Sequence, residues 1–70
     1  MERNNDHEMS LMRYWMARGK IAAAQRPAFG YLGAWRAEGN DYPERRDPYG
    51  RLRLAAYRVG YDTTRDIARV

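Results

Sequence analysis

Apolar residues recur along this chain at helical spacing, and polar punctuation divides them into three segments. In the first, Met9, Met12 and Met16 fall at i, i+3 and i+7 with Leu11 and Trp15 beside them. That period predicts a helix from about His7 to Ala24, with Asp6 as its N-cap and residues 1–5 a frayed, disordered start. Gly19 weakens it by roughly 1 kcal/mol relative to alanine. Proline disfavours helical geometry in the residue before it, so Arg26-Pro27 ends the segment, and Pro27 can open a second helix running to about Glu38. Phe29, Leu32 and Trp35 share a face of this second helix. Gly39-Asn40 closes it, since both residues tolerate the left-handed C-cap conformation.

Residues 40–47 read as an ordered polar loop leading to the stretch that organises the chain, Asp47 to Tyr61. Asp47 is an N-cap, Pro48 is pre-set for the first helical position, and Leu52, Ala56 and Val59 continue an apolar side begun by Tyr49. A third helix is therefore expected over 48–61. At Asp62-Thr63-Thr64 the pattern fits a stop and restart, with Thr63 and Asp66 at capping-box spacing, giving a short fourth helix through Arg69. A continuation of the third helix fits the same residues. The expected fold is all-α, one small domain of three main helices over residues 1–70. Its expected core is Met12, Trp15, Met16, Phe29, Leu32, Trp35, Leu52, Ala56 and Val59. A weak internal repeat, Trp15-Met-Ala-Arg-Gly19 against Trp35-Arg-Ala-Glu-Gly39, would make each unit an aromatic-ended helix with a glycine stop, unless it is coincidence.

Composition narrows the class. Seventy residues with no cysteine and one histidine exclude a disulfide framework and a thiolate or histidine metal cluster, and cofactors are not expected. A chain this short buries little surface, so its stability is expected to be about 3–5 kcal/mol and a deep substrate pocket is not expected. No apolar run reaches the roughly 20 residues needed to span a bilayer, and the first residues are unlike a signal peptide, so the cytoplasm is the default location.

Charge adds the functional signal. The net charge is +4, and of the 13 basic residues only Lys20 is lysine. Arginine's planar fork suits phosphates and stacks on bases, although a GC-rich genome also inflates arginine. Residues 11–37 carry no acid, residues 38–47 mix acids with Arg45 and Arg46, and no acid lies between Asp47 and Asp62. Arg51, Arg53 and Arg58 then stand as unopposed positive charges on the third helix. Such segments fit a phosphate-rich partner or an acidic protein surface.

Gly30-Tyr31 through Gly39, then Pro48-Tyr49, Arg53, and Tyr57-Arg-Val-Gly60-Tyr61 together resemble the ribosome modulation factor family of small basic bacterial hibernation factors, over about residues 30–61. Asp47 stands where that family carries cysteine, and a whole helix precedes the matching region. The resemblance implies binding to ribosomal RNA near the messenger exit of the small subunit, with inactive ribosome dimers and arrested translation as the outcome. For such a role Arg45, Arg46, Arg51, Arg53 and Arg58 are the candidate phosphate contacts, and Tyr42 or Tyr49 the candidate stacking rings.

Enzymatic chemistry finds no residues to carry it: there is no glycine-rich phosphate loop with lysine and no nucleophile with a base at defensible spacing. The alternative to RNA is a small helical protein, of phage or mobile-element type, that binds and inhibits a host protein, because arginine, tryptophan and tyrosine are also what protein hot spots use. One continuous acid-free arginine face over 45–58 would favour RNA. Arginines interleaved with exposed methionine and tryptophan would favour a protein groove.

Overall fold

The computed structural model describes the backbone of residues 2–69 and the side chains of residues 9–67. Among these residues it contains three helices, α1 (Glu2–Gln25), α2 (Gly30–Ala37) and α3 (Pro48–Arg69), and no strand. Two helix ends follow directly from local chemistry. Asp47 Oδ1 accepts the Gly50 N–H at 2.8 Å, so Asp47 is the N-cap of α3 and Pro48 its first residue. At the end of α2, Gly39 takes φ 87°, its N–H bonds the Arg36 carbonyl at 2.9 Å, and the Asn40 N–H reaches the Trp35 carbonyl at 3.3 Å. These are the paired bonds of a Schellman turn.

Other boundaries differ from the sequence reading. α1 starts at Glu2, so Asp6 lies inside the helix rather than capping it, and residues 2–5 are helical backbone. It also passes straight through Gly19, so the repeat's first glycine is no stop. α2 begins at Gly30, three residues after Pro27. The Arg26 N–H still bonds the Ala22 carbonyl at 2.7 Å, carrying α1's last turn forward, and the chain reverses at Gly30, φ 77°. The Gly30 N–H is taken up by the Tyr61 hydroxyl at 3.0 Å, a tertiary bond that no local rule anticipates. That same hydroxyl donates to the Arg26 carbonyl. At the other end there is no fourth helix: α3 continues through Asp62-Thr63-Thr64. Tyr61 is fully buried and Thr64 and Arg65 stay half-buried, so the helix remains packed where a break was expected.

α1 and α3 lie side by side and run the same way. Leu11 and Met12 border one cleft with Tyr49 and Leu52, while Gly19 further along meets Tyr57 and Tyr61. The chain returns between them through α2, about 12 Å long at 1.5 Å per residue, and the non-helical segment 38–47. At the crossing the two backbones touch. A Cβ on Gly19 would overlap the Tyr57 carbonyl oxygen, and one on Gly60 the Met16 carbonyl oxygen. Ala22, Ala23, Ala34, Trp35, Leu54, Tyr57 and Tyr61 form the buried cluster, with Trp15, Tyr31 and Leu32 packed against it. Trp35 sits between Trp15 and Tyr57, at centroid distances of 5.3 and 5.1 Å, and its indole N–H donates to the Asp41 carbonyl at 2.8 Å.

The core therefore corrects the expected one. Trp35 and Ala56 are buried, and Trp15, Met16, Leu32 and Leu52 are half-buried, whereas Met12, Phe29 (56% exposed) and Val59 (50% exposed) face outward. α3 turns Leu54, Tyr57 and Tyr61 inward along with the expected Ala56, while Val59 faces solvent; the two tyrosines can be buried because their hydroxyls bond Glu38 and Arg26. One of those bonds belongs to a three-way junction. Glu38, the C-cap residue of α2, accepts Arg18 Nη2 from α1 and the Tyr57 hydroxyl from α3, both at 2.7 Å. Its carboxylate raises the pKa of the Arg18 guanidinium through the hydrogen bond and its charge. Burial, reinforced by the bond to Glu38, pushes the Tyr57 phenol well above the ordinary tyrosine range.

Two predictions follow from this packing. Gly60→Ala forces the α1–α3 backbones apart and should cost about 1–3 kcal/mol, while Gly33→Ala, whose Cβ would meet Phe29 at an ordinary 3.4 Å, should leave stability equal or higher by about 0.5–1 kcal/mol. Thermal melts of the two variants check this ordering. Tyr57 keeps its proton in the folded state at pH values where the unfolded chain loses it, near pH 10. Its contribution is therefore complete below about pH 10 and declines as pH rises above that value. Stability measured from pH 8 to 11 should fall at the alkaline end for the wild type. Tyr57→Phe should be less stable at pH 8, by about 1.5–3 kcal/mol for a bond to a charged group, and show a flatter alkaline limb.

Candidate functional site

The loop after α2 builds the surface features. Tyr42 and Pro43 form a ridge with an open groove on either side. On one side, a groove of about 560 Å³ has Leu54, Ala55 and Val59 of α3 as its floor and Tyr31 of α2 as its far wall. Arg51 and Arg58, two turns apart on α3, border it, and no acidic residue lines it. The Arg58 guanidinium lies 4.8 Å from the centre of the Tyr31 ring, a cation–π arrangement that holds both groups at the groove wall. Arg51 Nη1 reaches the Arg45 carbonyl at 3.4 Å, which ties the entrance of the loop to this side.

On the other side of the ridge, a groove of about 600 Å³ is lined by Trp15 and Trp35, with Arg46 and Arg53 and the carboxylates of Asp41, Glu44 and Asp47 around it. Its charge is mixed. A third, narrow cleft between α1 and α3 is lined by Leu11, Met12, Trp15, Tyr49, Leu52 and Arg53.

The six candidate residues are thus distributed rather than assembled. Arg45, Arg51 and Arg58 belong to the acid-free side, Arg46 and Arg53 to the mixed groove, and Tyr49, exposed, to the apolar cleft. The reason is angular: at about 100° per residue, Arg53 lies some 200° round the helix from Arg51, whereas Arg58 lies within about 20° of it. Nor are the three candidate arginines of α3 all unopposed. Arg58 Nε donates to Asp62 Oδ2 at 3.3 Å, and Arg53 Nη2 lies 3.9 Å from Asp47 Oδ2. A run without acids in sequence still meets the acids that flank it, because one more turn of helix brings Asp62 alongside Arg58. Tyr31 and Trp15 were missed as site residues. The sequence places both within helices and offers no signal that they border a groove; each packs against the core and also lines one.

Among the described residues no group of histidine, aspartate or glutamate side chains is placed to hold a metal ion, and no helix is long and apolar enough to cross a membrane. Comparison with protein-family models, with curated proteins and with solved structures gives no match. The arginines and aromatic rings that line the two grooves have the chemistry to neutralise phosphates and stack on planar rings.

The Arg58–Asp62 pair is exposed, and such i,i+4 pairs contribute only about 0.3–0.5 kcal/mol. Asp62→Ala should therefore shift the thermal midpoint by no more than a few degrees while leaving Arg58 unopposed, a separation that melting curves measured beside anion-binding titrations will reveal.

Proposed function

We propose that this chain binds RNA through the groove between Tyr31, the Tyr42-Pro43 ridge and α3, and that its partner is ribosomal RNA. The arginines of 45–58 do not form one continuous acid-free face, so the reading is carried by this one groove, whose lining sets Arg51 and Arg58 with two tyrosine rings and includes no acidic residue. Guanidinium groups neutralise phosphates, and tyrosine rings stack on bases that are not already stacked in a duplex, so the preferred substrate is single-stranded. The resemblance of residues 30–61 to ribosome modulation factors supplies the ribosomal context, and a role in arresting translation follows from it. In that role the protein acts by occupying RNA and not by catalysis.

A second reading has its own observation. Met12 and Tyr49 are exposed and line a cleft with Leu11 and Leu52, so apolar surface is available for a protein partner. In this reading the chain is an inhibitor of another protein. The two differ in salt dependence, because phosphate contacts release condensed counterions whereas a buried aromatic patch responds weakly to salt.

The test is sedimentation with ribosomes through a sucrose gradient, with affinity for a single-stranded RNA measured against salt. The wild type should co-sediment at low salt, and Arg51→Ala should reduce the slope of log affinity against log salt by about 0.7. Arg51→Ala combined with Arg58→Ala should release the protein from ribosomes without changing its helical circular dichroism, since both side chains are exposed. A wild type that stays at the top of the gradient at low salt, or a double variant that sediments equally well, overturns the RNA reading in favour of the protein inhibitor.

A further inference from the structure

We propose that the mixed-charge groove on the far side of the Tyr42-Pro43 ridge is a second nucleotide subsite, which takes a base bearing an amino group stacked against Trp15 and places its phosphate on Arg46 and Arg53. This deepens the RNA reading and rests on it: the strand would cross the ridge from the Arg51–Arg58 groove into this one. At about 600 Å³ the groove falls within the range of roughly 300–1,000 Å³ usual for small-ligand sites. Trp15 is half-buried and borders it. The indole is positioned before any ligand arrives, braced by Trp35 at 5.3 Å and by Tyr14 edge-on at 5.3 Å. A pre-placed ring loses little freedom when a base stacks on it.

Arg46 is exposed and makes no ion pair among the described residues, and Arg53 faces Asp47 only loosely, at 3.9 Å and beyond hydrogen-bond reach, so a phosphate on Arg53 displaces that contact. The carboxylates give the site its selectivity. Asp47 is occupied in capping Gly50 and facing Arg53, which leaves Asp41 and Glu44 as acceptors on the groove wall. They repel phosphate and so face the other end of the nucleotide. A carboxylate accepts hydrogen bonds from the amino groups of adenine, cytosine or guanine, as it does from cytosine N4 in DNA readout. Uracil offers two carbonyl oxygens and a single ring N–H along the same edge, and is disfavoured.

Both tryptophans of the chain border this groove and neither borders the Arg51–Arg58 groove, so tryptophan quenching distinguishes the two, although Trp15 also borders the narrow α1–α3 cleft. The full chain is titrated with labelled penta-adenylate, labelled penta-uridylate and AMP, following anisotropy for the pentamers and tryptophan quenching for all three. Penta-adenylate should bind with quenching, and penta-uridylate about tenfold more weakly with little quenching, as expected for the loss of one stacked base. Arg46→Ala, a change at an exposed position, should weaken penta-adenylate several-fold. Arg46→Ala with Arg53→Ala, its fold checked by circular dichroism, should bring adenylate affinity down to that of uridylate and remove the quenching. Adenylate binding without quenching, or equal affinity and quenching for the two pentamers, overturns the subsite and leaves the RNA reading standing. AMP that quenches as tightly as the pentamer overturns the continuous-strand assignment. Failure of both pentamers to change anisotropy overturns the RNA reading itself.

Discussion

The carboxylate of Glu38 is the point on which the arrangement of this small protein depends. It ends α2 while accepting bonds at 2.7 Å from Arg18 of α1 and Tyr57 of α3. A helix of 8 residues is too short to persist by its own hydrogen bonds, and α2 buries only Ala34 and Trp35 fully, with Tyr31 and Leu32 packed partly against the core. Charge-assisted bonds from two directions fix its last turn. The Tyr61 hydroxyl fixes its first, bonding both Arg26 and Gly30. Two tyrosines of one α3 face, one turn apart, thus hold the two ends of α2.

That anchoring decides the surface as well as the core. Because Glu38 and Trp35 are held, the segment that leaves α2 departs from a defined place, with the Asp41 carbonyl on the Trp35 indole and Asp47 capping α3. Between these two attachments Tyr42-Pro43 lies across the molecule and separates the basic groove from the mixed one. The ridge has few bonds of its own. Its position is borrowed from the residues on either side, so the geometry of both grooves is coupled to the same junction that maintains stability.

The distribution of arginine follows from helix geometry acting on a simple sequence. Residues 51, 53 and 58 are close neighbours in the chain, yet only the first and last share a side, and Arg58 is met there by Asp62. The remaining charge contrast is between two grooves: one with arginine and tyrosine and no acid, the other with arginine, tryptophan and three carboxylates. Phosphate neutralisation suits the first, and reading the hydrogen-bonding edge of a base suits the second. The same residues spread over one continuous face would bind anions and distinguish little among them.

The all-α class, the three helices, the Asp47-Pro48 start of α3 and the Gly39 end of α2 were legible in the sequence, because caps and turns are set by residues within a few positions of one another. The arginines and aromatic rings were legible as candidates for the same reason that composition is. Which face of each helix turns inward was not. On α3, Leu52-Ala56-Val59 and Leu54-Tyr57-Tyr61 both satisfy a helical period, and burial is divided between them: Ala56 is buried with Leu54, Tyr57 and Tyr61, whereas Val59 is exposed. A tyrosine can be buried at low cost only where its hydroxyl finds a partner. Those partners, Glu38 and Arg26, stand 19 and 35 residues away in the chain. Gly19 likewise reads as a weak point of its helix, and with Gly60 it marks the place where two backbones meet. The chain specified the pieces through short-range chemistry; the faces, the crossing and the two grooves were decided by bonds that exist only once distant segments are already side by side.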